Sequence, residues 1–217
     1  KGEFDKLLLV DGISSLCSLP LETDNWGCDV VATASQKGWM LPPGLAFMSF
    51  SERAWQAHAS ATMPRFYFDM AQYKKYFEIG QPPYTPVVSV MYALDLALER
   101  ILEEGMEGIF TRHADIGKFT RDGIKELGLT LFPDESVASD TVTAVKMPEG
   151  VEDKEFRGAL RREHGVELAG GQASLQGKIF RIGHMGLTTR GEIQEALDAL
   201  KAVLPKVGAA SGAVASA

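Results

Sequence analysis

The sequence predicts an α/β protein in which short buried strands come first and long amphipathic helices follow. Two observations carry this prediction. Apolar runs of strand length occur at 7–10 and 30–34, and strands this apolar are typical of parallel sheets covered on both faces. Apolar residues then recur at helical spacing over 87–104, directly before Gly105, which predicts one long helix ending at that glycine.

The remaining elements follow in chain order. Residues 45–50 predict a third strand, and Ser51 predicts the N-cap of a short helix that runs to Trp55. The segment 66–86 is rich in Tyr, Phe and Pro but poorly periodic, which favours an extended crossing. In the second half of the chain, the same patterns predict helices at 106–127, 153–164 and 190–204, and strands at 129–133, 142–147 and 178–183.

These elements group into two regions and a tail. We expect residues 1–103 to form one domain and 104–205 to form a small α+β domain, with the long helix at their boundary. Residues 206–217 are mostly small and of low complexity, so a disordered tail is predicted there.

Composition excludes several function classes. The formal net charge of -7 argues against nucleic acid or an anionic membrane as the main partner, so small-molecule substrates are expected. Two cysteines are too few for a disulfide scaffold, and neither cysteines nor histidines show metal-ligand spacing. The absence of a long apolar run and of a disulfide pattern favours a cytoplasmic protein without a metal.

Two charged residues follow the first two predicted strands. Asp11 ends the run at 7–10, and Lys37 comes shortly after the run at 30–34. Ligands of open α/β sheets bind at this carboxyl edge. A lysine held there by the following Pro and Gly can be partly desolvated, which lowers its pKa and makes its amine able to form a Schiff base. For Lys37 taken alone, a solvated loop position remains an alternative.

An aspartate and a lysine in these places suit pyridoxal 5'-phosphate. This cofactor needs a carboxylate to keep its ring nitrogen protonated and a lysine to hold its aldehyde. Arg181, between bulky apolar residues of the strand at 178–183, could bind a substrate carboxylate through a bidentate fork. The spacing fits a solvated edge-strand arginine equally well.

Other polar features have simpler interpretations. Arg157, Arg161 and Arg162 alternate with acidic residues on the helix at 153–164, which is typical of a solvated helix face. The pair Gly170-Gly171 predicts a turn.

Four motifs in order resemble the alanine/serine-glyoxylate aminotransferases, which are class V aminotransferases of pyridoxal phosphate fold type I. The motifs are residues 8–15, Ser-Gln-Lys at 35–37 with Leu-Pro-Pro-Gly at 41–44, Pro-Tyr-Thr-Pro at 83–86 and Phe-Arg-Ile-Gly at 180–183. The resemblance runs from about residue 6 to about residue 204. It implies the C-terminal half of the family's mainly parallel large-domain sheet, followed by the small α+β domain. On this reading the chain is part of a longer enzyme.

The resemblance also implies roles for individual residues. Lys37 would form the Schiff base and shuttle the proton, with Asp11 on the ring nitrogen and Ile13 against the ring. Gln36 would contact the cofactor phosphate, and Thr85 would contact the phosphate bound to the neighbouring subunit of a homodimer. From their positions alone, Thr85 fits a turn residue before Pro86 equally well, and Ile13 also fits simple core packing. Arg181 would bind the substrate carboxylate.

The implied activity is transamination of alanine or serine with glyoxylate or pyruvate. Other class V activities stay open, namely a phosphoserine aminotransferase-like enzyme, aspartate aminotransferase activity and a desulfurase-like lyase. Gln36 stands where desulfurases carry a histidine, and neither Cys17 nor Cys28 lies in a plausible mobile loop. A non-catalytic subunit that kept the fold is a further alternative.

Overall fold

The computed structural model describes residues 6–208, and these form two compact units. The first unit contains 6–16 and 21–103, and the second contains 17–20 and 104–208. Each unit is described by itself.

The first unit contains a three-stranded sheet with the order β1 (Leu9–Asp11), β2 (Val30–Ala34), β3 (Ala46–Phe50). β1 pairs parallel with β2, whereas β2 pairs antiparallel with β3. This part of the sheet therefore contains one parallel and one antiparallel strand pair. The reversal has a simple cause, because the loop at 35–45 is too short to hold the crossover that a parallel connection requires.

Three helices complete the first unit: α1 (Glu52–Ser60), α2 (Met70–Phe77) and α3 (Val88–Glu104). Ser51 caps α1 as predicted, but the helix continues past Trp55 to Ser60. The extended crossing predicted for 66–86 is wrong where α2 interrupts it. This helix buries none of its residues, so it leaves no apolar periodicity in the sequence.

The second unit packs helices against an antiparallel sheet. Its elements are α4 (Met106–Glu126), β4 (Val142–Lys146), α5 (Asp153–His164), β5 (Ala169–Gly170), β6 (Ile179–Gly183) and α6 (Arg190–Val203). The strand order is β4-β6-β5, so β6 lies in the centre. The strand predicted at 129–133 is wrong, since only Leu131 forms an isolated bridge, to Val145.

The core of the second unit gathers around β6 and α6. The rings of Phe156 and Phe180 lie 5.2 Å apart between their centroids, and both side chains are fully buried. Leu200 and Leu204 join them in one apolar cluster. The chain continues as a 3-10 turn at Leu204–Val207, where the sequence predicted the start of a disordered tail. The rest of that predicted tail, from 209 on, lies outside the described residues.

A buried histidine closes the end of β6. The Nδ1 atom of His184 donates to the carbonyl oxygen of Asp140 at 3.1 Å, so its Nε2 atom accepts from the Thr143 hydroxyl at 2.9 Å. Burial lowers the pKa of His184 to about 4, so the ring is neutral at pH 7 and its Nε2 atom is the acceptor in the bond to Thr143.

No helix within residues 6–208 has the combination of length and apolar character that crossing a membrane requires.

Candidate active site

Asp11 and Lys37 lie at the same edge of the first sheet. Asp11 is the last residue of β1, and Lys37 follows the end of β2 by three residues. Because β1 and β2 are adjacent and parallel, their carboxyl ends point the same way. The structure thus places a carboxylate and an amine at the edge where sheets of this class bind ligands.

The Asp11 carboxylate is exposed and only half engaged. Its Oδ1 atom accepts a hydrogen bond from the Ile13 backbone N–H at 2.9 Å, and this short turn orients the side chain. Within residues 6–208, its Oδ2 atom has no hydrogen-bond partner. This oxygen can accept a hydrogen bond from a protonated nitrogen, such as the one in a protonated pyridine ring. Ile13 is half-buried beside it.

Lys37 is half-buried in the turn between β2 and β3. Its backbone carbonyl accepts from the Met40 N–H at 2.9 Å, which closes the turn around the lysine. In the part of the chain that the structure describes, the Lys37 ammonium has neither an ion pair nor a hydrogen bond. A lysine whose amine has no polar partner among these residues is available for covalent chemistry, so Lys37 and Asp11 fit the groups of pyridoxal phosphate.

Ser35 anchors this turn, and sequence reasoning did not single it out. The side chain is fully buried; its Oγ atom donates to the Pro42 carbonyl at 2.7 Å and accepts from the Leu45 N–H at 3.1 Å. The Ser35 backbone also bonds Leu45 and Leu41. A small hydroxyl residue at the end of a strand, before a loop that returns, is the signal that could have found it.

The far side of the turn rests on apolar contacts. The Trp39 Nε1 atom donates to the Thr33 hydroxyl at 3.3 Å, and its ring centroid lies 4.7 Å from that of Phe47. Leu41 packs in a buried cluster with Val90 of α3. Both ends of the segment that carries Lys37 are therefore held in place.

The two residues expected to bind phosphate, Gln36 and Thr85, have exposed side chains. Gln36 precedes Lys37 at the sheet edge. Thr85 lies elsewhere in the first unit, in the loop that leads into α3. Beside it, the Tyr84 hydroxyl donates to the Phe66 carbonyl at 3.3 Å, and the Tyr84 ring contacts that of Tyr67.

Arg181 belongs to the second unit, where it lies on the central strand β6. The edge-strand alternative for this residue is therefore wrong. The side chain is half-buried, and its Nε–H donates to the Gly170 carbonyl at 3.0 Å. Neither Nη atom has a partner among residues 6–208, so both remain free to bind a carboxylate.

Two features of the second unit differ from their sequence interpretation. Arg157 does not belong to a solvated face, because it is partly buried against Asp153. Gly170, interpreted as part of a turn, instead pairs with Phe180 in the sheet. A two-residue strand that ends in glycine carries no strand pattern for sequence analysis to find.

Two observations concern cysteine and metal ligands among the described residues. Burial raises the pKa of the Cys17 thiol to about 11, so this thiol is not the reactive thiolate that a desulfurase needs. Among residues 6–208, no group of three or more His, Cys, Asp or Glu side chains could hold a metal ion.

Comparison with known proteins shows which family this chain resembles. A model of the family "Aminotransferase class-V" matches residues 3–194. The chain is 44% identical over 208 residues to the small subunit of a soluble hydrogenase from Synechococcus sp., covering 96% of this chain and 54% of that protein. It is 38% identical over 204 residues to serine-glyoxylate aminotransferase of Arabidopsis thaliana, covering 93% and 51%.

A solved structure shows the same fold. Ureidoglycine-glyoxylate aminotransferase from Bacillus subtilis superposes with a TM-score of 0.88 at 33% identity, over 96% of this chain and 55% of that one. The chain thus spans about half the length of the relatives it matches. With this match to most of its residues, the chain belongs to the class V aminotransferase family.

Proposed function

We propose that the protein is a pyridoxal phosphate-dependent aminotransferase that transfers the amino group of a small amino acid, alanine or serine, to glyoxylate or pyruvate. One observation carries the proposal. An amine without a structural partner, on Lys37, shares a sheet edge with a half-engaged carboxylate, on Asp11. Membership of the class V family and relatives named as glyoxylate aminotransferases support the choice of reaction.

When bound, pyridoxal phosphate supplies an aldehyde for covalent attachment and a ring that withdraws electrons. Lys37 would hold the aldehyde carbon, and the free Asp11 oxygen would accept the ring N–H. Ile13 would lie against the ring, and the Gln36 amide would donate to phosphate oxygens. These roles need an amine without a polar partner and an exposed acceptor, and the half-buried Lys37 and the exposed Asp11 meet both requirements.

Two side chains of the protein, Arg181 and Lys37, would bind the substrate and move its proton. The Arg181 Nη atoms bind the substrate carboxylate and fix its orientation. The Lys37 amine, once the substrate amine has displaced it, would take the proton from the substrate α-carbon and deliver it to the carbon that the cofactor aldehyde supplies. Because the enzyme alternates between two forms, its kinetics are ping-pong.

We further propose that two copies of the protein share their sites. Thr85 then donates to the phosphate bound by the partner copy. The segment around it supports an interface, because Phe66, Phe68 and Phe77 are each about four-fifths exposed. Several large aromatic side chains exposed in one segment are typical of a surface that contacts another protein. The two unpaired cysteines favour a cytoplasmic location.

Borohydride reduction of the holoenzyme followed by peptide mapping tests the assignment. We expect a pyridoxyl group on Lys37, and no labelled peptide in the Lys37→Ala variant. Lys75→Ala is the matched control, since Lys75 is an exposed lysine of α2, and it should label like the wild type. Labelling at any other lysine, or at none, contradicts the proposal. A panel of amino donors and acceptors then identifies the substrates.

A further inference from the structure

Arg181 is held by a backbone oxygen rather than by an acidic side chain. Its Nε atom carries a single hydrogen, which points to the Gly170 carbonyl at 3.0 Å. That hydrogen is no longer available for a ligand. A carboxylate can therefore meet Arg181 only end-on, through its two Nη atoms.

Gly170 is in turn covered by a second guanidinium. A Cβ atom built on Gly170 would lie 3.1 Å from Nη2, 3.2 Å from Cζ and 3.3 Å from Nε of Arg157. Three guanidinium atoms at nearly equal distance mean that the plane of this group faces Gly170. The Arg157 Nη1 atom also donates to the Leu168 carbonyl at 3.4 Å, so Arg157 spans the strand that contains the acceptor of Arg181.

Asp153 keeps the Arg157 guanidinium in this orientation. The Arg157 Nε and Nη2 atoms donate to the two Asp153 carboxylate oxygens at 2.8 Å and 2.6 Å, in a bidentate pair one helical turn apart on α5. The hydrogen bonds of this pair lower the pKa of Asp153 and raise that of Arg157. Both groups therefore stay charged at neutral pH, and the guanidinium plane is fixed.

We propose that Asp153 and Arg157 are positioning residues for Arg181. They hold the strand of Gly170, whose carbonyl orients the Arg181 guanidinium so that its Nη atoms take the substrate carboxylate end-on. This inference rests on the proposed role of Arg181 as the carboxylate-binding residue. It adds a pair of residues that touch neither substrate nor cofactor.

Steady-state kinetics of the holoenzyme test the inference with Arg157→Met. We expect KM for the amino acid to rise about tenfold while kcat stays within about twofold, because misplacement weakens binding without removing a reacting group. Arg161→Met is the matched control on the same helix. Arg161 and its partner Glu167 are 73% and 67% exposed, so its KM should equal that of the wild type.

A substrate without a carboxylate separates positioning from general damage. A simple primary alkylamine should react with the holoenzyme at the same rate in the wild type and in Arg157→Met. Asp153→Asn should raise KM for the amino acid in the same direction, and should add little in the Arg157→Met background. If Arg157→Met is insoluble, Arg157→Lys replaces it, since lysine keeps a charge for Asp153 but has no plane to face Gly170.

The two proposals fail in different ways. An unchanged KM in Arg157→Met, or an equal loss for the alkylamine and the amino acid, overturns the positioning role. Arg181→Gln should raise KM for the amino acid by about a hundredfold or more, because it removes a charged fork. An unchanged KM in Arg181→Gln overturns the role of Arg181 itself, whatever the Arg157 variants show.

Discussion

The Ser35→Ala substitution should loosen the turn that carries Lys37. It removes one hydroxyl that donates to the Pro42 carbonyl and accepts from the Leu45 N–H. A typical hydrogen bond contributes about 1 kcal/mol, and a partner left unsatisfied costs at least as much, so we expect a loss of about 2 kcal/mol in the free energy of unfolding.

Tryptophan fluorescence during urea unfolding measures this loss directly. All three tryptophans, Trp26, Trp39 and Trp55, belong to the first unit, so the signal reports the unit that contains Ser35. With a urea dependence of about 2 kcal/mol per molar, the midpoint should fall by about 1 M. The rate at which Lys37 takes up pyridoxal phosphate should fall as well, because the turn samples more conformations.

Ser49→Ala is the matched control for this experiment. Ser49 lies on β3 with an exposed side chain that has no hydrogen bond within residues 6–208, so the same change should be nearly neutral there. The reasoning is refuted if the two variants unfold within about 0.5 kcal/mol of each other, which is the usual effect of a neutral surface change.

Two further predictions concern the second unit. His184 is neutral when folded and gains a proton when unfolded below its ordinary pKa, so its contribution is complete above about pH 6.5 and is lost as the pH falls towards 4, by about 3 kcal/mol in all. His184→Asn should flatten this part of the stability profile measured by circular dichroism, and an unchanged slope contradicts the assignment. Gly171→Ala should lower stability by about 1–3 kcal/mol, since its Cβ would clash with the Leu175 carbonyl oxygen, whereas Gly191→Ala on α6 has room for its methyl group. Equal melting temperatures for the two glycine variants would show that the Gly171 segment rearranges freely.

The elements that were predicted correctly from the sequence include all the long helices whose apolar residues recur over several turns. Helices α3, α4, α5 and α6 each bury an apolar stripe, and their predicted bounds lie within about one residue of the observed ones. The elements that sequence reasoning missed are those without such a stripe. α2 buries no residue, and β5 is only two residues long.

The candidate site shows the same division. Asp11 and Lys37 could be singled out because a charged residue after an apolar run is unusual. Ser35 carries only the weak signal of a small hydroxyl residue before a returning loop, and Gly170 acts through its backbone carbonyl, which accepts from the Arg181 side chain. Such contacts depend on how the loop returns or which strands pair, so the residue type alone does not specify them. The role of Arg157 was hidden for a similar reason, since its spacing also fits a solvated face.

The turn that carries Lys37, between β2 and β3, limits how far the lysine amine can move. With the backbone held at Ser35 on one side and Leu41 on the other, the amine can move only as far as its four-carbon side chain allows. A nucleophile tethered in this way is present at an effective concentration on the order of molar or higher beside any carbonyl within its arc. If Lys37 holds the cofactor as proposed, the displaced amine stays within reach for the return step, and recapture of the cofactor does not depend on an encounter from solution.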